Sequence, residues 1–254
     1  MDASQSREIF SLILDLGALM LKSGAEVYRV EDTVSRLIAA YGGKTSQVFA
    51  VPTHLVATAE FEDGEVSASR RVLSPGMNLE VVDKANTLAR YACKHKPGAS
   101  TFRTVLNEAA AFKAYTPLQS VFIYAGVSGS FAALFGGSWT DMLSSAVIGA
   151  FLYFIISLAR RVSRNAIFSN VICAAVSALL ALVAVKYRLA DSADMVIIGN
   201  VMLLIPGVEL VNSMRDFIAG DIQAGIMHFT EAMFLAVGIA LGAAAVLTYL
   251  GGAL

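Results

Sequence analysis

The 254-residue chain is poor in the residues that build covalent or metal-held frameworks, with two cysteines, one tryptophan and three histidines. Cys93 and Cys173 stand in regions of different character, one polar and one apolar, which excludes a disulfide framework and a cysteine metal site. No metal and no cofactor is expected. Enzyme signatures are missing as well: there is no Gly-x-Ser-x-Gly elbow, no His-Glu-x-x-His pair and no phosphate-binding loop. The start of the chain does not read as a cleavable leader. Its apolar run, Ile9–Leu21, follows Glu8, is interrupted by Asp15 and, at 13 residues, is too short to cross a bilayer. It reads as a buried core helix. A net charge of −1 gives no reason to expect nucleic acid.

Charge is also missing from one half of the chain. Residues 1–116 carry 13 basic and 13 acidic groups, whereas residues 117–254 carry only 6 and 7, and residues 114–140 carry none. With 56% hydrophobic residues and a mean hydropathy of +0.65, the chain is too apolar for an ordinary globular protein. The expected fold is a small cytoplasmic α+β N-terminal domain over residues 1–116. A transmembrane helical domain over residues 117–254 follows it, a bundle of about five transmembrane helices, or four or six if the fourth is re-entrant. Charge-poor stretches place the spans near 118–136, 142–159, 165–185, 195–214 and 225–250, each close to the ~20 residues a bilayer requires. Arg160, Arg161 and Arg164 between the second and third spans mark that connection as cytoplasmic, with Lys186 and Arg188 on the other side. The N-terminal domain is then cytoplasmic and the C-terminus external.

In the N-terminal half, Ile9, Ile13, Leu16 and Met20 recur at helical spacing, Ser23-Gly24 ends that helix, and a second runs to Tyr41. The period then becomes two: Leu55, Ala57, Ala59 and Phe61 alternate with His54, Thr58 and Glu60, and Asp63-Gly64 turns a hairpin into 65–72. Ser74-Pro75-Gly76 is a loop, and two helices follow over 79–96 and 100–114. The order is helix, helix, hairpin, helix, helix.

The segment from Leu203 to Asp216 carries the chemistry. Pro206 removes a backbone donor and breaks the helix, while Gly207 permits close approach of a ligand to the backbone. Glu209, Asn212 and Asp216 follow at i, i+3 and i+7, roughly one helix face. Ionisable groups at membrane depth are costly and face a protein interior or a water-filled path, and broken helices there hold substrates or ions. Pro206, Gly207, Glu209, Asn212, Arg215 and Asp216 are therefore the candidate transport site. The competing reading is a kinked helix whose polar groups pair with neighbouring helices. Asn200, Asp221, His228 and Glu231 are candidates for a proton relay or supporting contacts, and equally for interhelical or interfacial groups. Gly24, Glu26 and Arg29 form a further motif, with an ion-pair network at a helix start as its plain reading. Arg70 and Arg71 could dock to the membrane domain or to anionic lipid, but more simply end a solvated strand.

Two of these stretches resemble one family. Leu21-Lys22-Ser23-Gly24-Ala25-Glu26-Val27-Tyr28-Arg29-Val30-Glu31 is similar to the opening signature of the threonine/serine exporter (ThrE) family. Pro206-Gly207 with Asn212, Asp216 and Gly220 resembles the signature of its membrane part. In length the chain resembles the short, YjjP-like members, which act beside a smaller YjjB-type membrane partner. The resemblance implies a subunit of a secondary active exporter of threonine and serine or of succinate-like dicarboxylates across the inner membrane. It also implies a multi-pass chain in a membrane complex or homo-oligomer. Glu209 departs from the family pattern, since short members carry a second proline there. Without a nucleotide site, an ion or substrate gradient must drive the transport. The alternatives are a membrane-bound hydrolase with a catalytic N-terminal domain and a structural or sensory membrane module.

Overall fold

A computed structural model describes residues 3–73, 76–111, 115–162 and 165–251. The chain divides into two compact units. The first comprises Met1–Lys113 with Leu210–Phe229, and the second Ala114–Glu209 with Thr230–Leu254.

The first unit opens with α1 (Ala3–Lys22) and α2 (Val27–Ala40). Three antiparallel strands follow, β1 (Thr45–Val51), β2 (His54–Phe61) and β3 (Gly64–Arg71), in the order β1-β2-β3. Helices α3 (Leu79–His95) and α4 (Ala99–Ala110) complete its N-terminal part. The helix α1 is apolar nearly all round because it is covered nearly all round: Phe10, Ile13, Leu14, Leu16 and Met20 are all sealed from solvent. Leu55, Ala57, Ala59 and Phe61 form the inward face of β2, as their alternation requires. Phe61 meets Phe10 edge-on, with ring centroids 6.3 Å apart. Gly17 allows this close seating, since a Cβ there would lie 2.7 Å from Leu55 Cδ2 and 2.8 Å from Val34 Cγ2. Ala224, far along the chain, joins the same core.

The strand β1 corrects the expected hairpin, which becomes a three-stranded sheet. Its alternation is weak in the sequence because the outward positions also carry apolar groups, Phe49 and Val51, while inward Ser46 is polar. Pairing with β2, Val48 opposite Ala57 and Ala50 opposite Leu55, supplies the order that its own pattern does not.

The second unit contains α5 (Pro117–Leu134), α6 (Trp139–Val162), α7 (Ala166–Lys186) and α8 (Ala193–Val201). The helix α9 (Gly207–Ala219) starts in this unit and continues into the first, and α10 (Ile222–Leu250) runs the other way. Starts are written locally. Thr116 and Gln119 form a reciprocal capping box around Pro117, and Asn165 and Ser192 cap α7 and α8.

Among the described residues, four helices are long and apolar enough to cross a membrane: Pro117–Leu134, Trp139–Ala159, Ala166–Lys186 and Ile222–Leu250. The expected fourth span at 195–214 is not a continuous helix. It is the nine-residue α8, a turn, and the 13-residue α9, and at ~1.5 Å per residue neither alone covers the ~30 Å of bilayer hydrocarbon. The cause is Pro206, which cannot donate to the carbonyl four residues earlier. Of the residues used for orientation, Arg164 and the Arg160 side chain lie outside the described residues, as do Ser74 and Pro75.

Small residues hold the second unit together. A Cβ on Gly129 would lie 3.1 Å from the Met142 carbonyl, and one on Gly242 would collide with the Val171 carbonyl. Asp141, buried at the start of α6, accepts backbone N–H bonds from Ser138 (2.9 Å), Asp191 (2.8 Å) and Ser192 (2.8 Å). One carboxylate thereby fastens the α5–α6 turn to the α7–α8 turn. Charge read as an average over the segment does not reveal this role; Asp141 stands out only by its burial.

Candidate functional site

Local sequence dictates the shape of the Pro206 break. The end of α8 tightens, with Leu204 N–H donating to Val201 (2.8 Å) and Ile205 N–H also to Val201 (3.2 Å). Gly207 N–H then turns back to the Ile205 carbonyl at 2.9 Å, and α9 begins. Pro206 is buried and Gly207 exposed, with nothing within 4 Å of the position a Cβ would take.

Within the first unit, α9 lies against the link between α1 and α2. Gly24 takes a left-handed φ of +83° there, a conformation natural to glycine. Its carbonyl accepts from Asn212 Nδ2 at 3.2 Å. Two residues on, Glu26 occupies the N-cap of α2 but makes no cap bond with its side chain. Its carboxylate is claimed elsewhere. Arg29 Nε approaches Oε2 at 3.1 Å, and Arg215 Nη1 donates to Oε1. Glu26 is 10% exposed at the side chain, whereas Arg29 and Arg215 are 54% and 55% exposed. Two guanidiniums therefore converge on one buried carboxylate while keeping much of their donor edge toward solvent. The trio carries a net single positive charge and spare N–H groups, an arrangement suited to a further carboxylate.

The next residue of α9 is Asp216, fully buried. His228 Nδ1, on α10, lies 2.9 Å from its Oδ2, and Oδ1 has no partner among the described residues. The corner between α9 and α10 closes tightly. Gly220 has a φ of +93°, and Asp221 N–H returns to the Asp216 carbonyl at 2.9 Å. A Cβ on Gly225 would lie 2.6 Å from the Phe217 ring. Burial, reinforced by Asp216, pushes the Asp221 carboxyl above the usual carboxylate range.

Glu31, on α2, extends this acidic side. Burial raises its carboxyl; a bond from Ala50 N–H (2.6 Å) opposes the rise, and Asp221 adds to it. An acid whose folded-state value is raised binds its proton more tightly folded than unfolded. Its contribution is present below the unfolded value and lost as pH rises through the folded one. Glu31→Gln keeps an acceptor for Ala50 and removes the charge. It is expected to raise the melting temperature at about pH 7 and to lose that benefit near about pH 4, as read by thermal scans across pH.

The structure thus brings Gly24, Glu26 and Arg29 together with Asn212 and Arg215, and sets Asp216, Asp221 and His228 close behind. Other expected residues stand apart. Glu209 is half-buried on the first turn of α9 and makes no ion pair with a described residue. Glu231 is exposed on α10. Asn200 is buried within the second unit, where its Nδ2 donates to Ser145 Oγ (3.2 Å) and the Val196 carbonyl (2.8 Å), an interhelical tie. Among the described residues, no group of three or more His, Cys, Asp or Glu could hold a metal ion. The pairing of Glu26 with Arg215, 189 positions apart, has no signal in a single sequence. Only the coincidence of two family-like motifs hints at it.

Comparison with known proteins agrees with the resemblance drawn from those motifs. The ThrE family profile, described as "Putative threonine/serine exporter", matches residues 11–250. The chain is 23% identical over 254 residues to the "Probable succinate transporter subunit YjjP" of Klebsiella aerogenes, covering 98% of this chain and 97% of the relative. It is 24% identical over 265 residues to the protein of the same name from Escherichia coli K12, covering 99% and 98%. It is also 24% identical over 246 residues to the "Probable threonine/serine exporter" of Mycobacterium tuberculosis, covering 95% of this chain but 46% of that relative. No solved structure matches the chain.

Proposed function

The chain belongs to the threonine/serine exporter family, and from that premise we propose that it is one subunit of a secondary exporter of small carboxylate-bearing metabolites in the inner membrane. Threonine and serine or succinate-like dicarboxylates are the candidate cargo. The carrying observation is the Glu26–Arg29–Arg215 cluster, where two half-exposed guanidiniums share one buried carboxylate. A cargo carboxylate can take the guanidinium donors that Glu26 leaves free, with the Asn212 amide beside them. Glu209, near the Pro206 break, is the second group offered to the cargo's path.

The helix break at Pro206 supports an exporter reading. We propose residues 1–116 as the cytoplasmic domain. The chain leaves the first unit at residue 113 and is back in it by Leu210. Three long apolar helices, α5, α6 and α7, and then the Pro206 break lie between. A discontinuous helix at that place is where transporters expose free backbone groups to cargo. The word "subunit" in the YjjP names supports a membrane partner of YjjB type. So does the length of the mycobacterial relative, roughly twice the part matched here.

Efflux of labelled succinate, threonine and serine from loaded cells, with and without a neighbouring partner gene, tests the reading. Arg215→Gln is expected to lower efflux roughly tenfold or more, because the guanidinium offered to the cargo carboxylate is lost. Glu209→Gln is expected to change the ranking of the three cargoes. Unchanged efflux in Arg215→Gln would remove the site, and no efflux of any of the three in a competent pair would remove the function.

A further inference from the structure

A cleft of about 690 Å³ opens on the first unit between α1, the end of β3 and α4. Its floor is apolar, with Leu12, Val72 and Leu106 all buried. Its rim is cationic, with Lys22, Arg71 and Arg103. The acid in its wall is spoken for: Asp15 holds Arg70 Nε at 2.6 Å, and Arg70 also donates to Ser11 Oγ at 2.6 Å. Arg103 is matched by Glu8 at 2.9 Å. Lys22 and Arg71 have no carboxylate partner among the described residues, so the cleft keeps two uncompensated positive charges. The sequence leaves Arg70 and Arg71 equivalent; the fold commits the first to Asp15 and sends the second to the rim.

Leu73 completes the arrangement. It lines the cleft, is 64% exposed, and stands two residues beyond Arg71. An exposed leucine beside unpaired cations over an apolar floor is the composition of a surface that meets an interface of anionic headgroups and acyl chains. In sequence the cleft lies close to the first candidate membrane span. The cleft reaches Ala110 at the end of α4, and the first crossing helix starts at Pro117. That link reaches at most about 25 Å when fully extended.

We propose that this cleft is a docking site for anionic phospholipid headgroups, with Lys22 and Arg71 as the headgroup ligands and Leu73 entering the interfacial layer. The site is separate from the Glu26–Arg215 cluster and independent of which cargo is exported. Each basic group near an anionic leaflet strengthens association roughly fivefold, and the two together roughly twenty- to thirty-fold.

The test uses the full-length chain in lipid nanodiscs. Trp139 is the single tryptophan, so Trp139→Phe with Leu73→Trp places one fluorophore at the rim. Brominated acyl chains then quench it wherever it enters the lipid. Quenching is expected in discs containing phosphatidylglycerol, weak in pure phosphatidylcholine, and lost when Lys22→Glu and Arg71→Glu are added. Lys22→Arg with Arg71→Lys keeps the charges and is expected to keep the quenching, which separates lost charge from lost folding. Absent quenching, or equal quenching in both lipids, overturns the proposal. So does a response to dissolved succinate or glycerol phosphate in detergent without a response to phosphatidylglycerol, which would make the cleft a small-anion site.

Discussion

Glu26→Ala is expected to cost about 2–3 kcal/mol of stability and to lower export roughly tenfold or more. The carboxylate is nearly sealed while both of its guanidinium partners are about half exposed. Each charge-assisted bond in such a setting contributes about 1–1.5 kcal/mol, less than a fully buried pair because solvent screens the arginine side. Removal also leaves Arg29 and Arg215 facing each other without a counter-charge, and it loosens the seat against which Asn212 meets the Gly24 carbonyl. Glu26→Gln keeps the shape and one acceptor and is expected to lose about half as much stability. A double-mutant cycle with Arg215→Gln, read by thermal unfolding of the purified chain, isolates the pair. A coupling of about 1 kcal/mol is expected, and additivity would show that the contact contributes nothing. Efflux on the same variants separates the roles. Export that falls further than the folded fraction identifies Arg215 as a cargo ligand in addition to a structural tie.

The other large effect is expected in the second unit, at Gly199. A Cβ there would lie 2.5 Å from Ser145 Oγ, 2.7 Å from the Ser128 carbonyl and 2.9 Å from Ala132 Cβ. One of these is backbone and none is the free end of a flexible side chain, so α8 itself must move away from α5 and α6. Valine adds two further methyl groups to that contact. Overpacking of this kind costs about 1–3 kcal/mol, and the shift also strains the Asn200–Ser145 bond one residue on. Gly199→Val is expected to lose about 3 kcal/mol or more and to empty the membrane of folded protein, with Gly199→Ala intermediate. Thermal scans in detergent and the yield of monodisperse protein measure it. Gly207→Ala is the informative contrast. Its surroundings are open, so stability is expected to hold, and a fall in export alone would mean that cargo approaches the backbone at the break.

Hydropathy and periodicity were sufficient for elements whose own residues carry the pattern. Leu55, Ala57, Ala59 and Phe61 are legible as an inward strand face because every second residue repeats the same burial. The helices α5, α6, α7 and α10 are legible because lipid demands long apolar runs, whatever packs beside them. The strand β1 was not legible, since Phe49 and Val51 blur its alternation and its order comes from β2. The fourth span reads as one continuous helix in the sequence for a related reason. Hydropathy averages across Pro206, whereas hydrogen bonding does not.

The functional residues divide in the same way. Composition alone determined a membrane-crossing helical half, and the local chemistry of proline and glycine determined a broken helix at Pro206-Gly207. Two short motifs sufficed for the family. Tertiary structure alone decided that Glu26 answers Arg215, that Asn212 reaches the Gly24 carbonyl, that Asp216 is sealed against His228, and that Glu209 has no part in this network. A sequence records which groups are available and how each shapes its own neighbourhood. Pairing across 189 positions is set by how separate helices pack, and packing depends on the whole surface of each helix rather than on the two residues that finally meet.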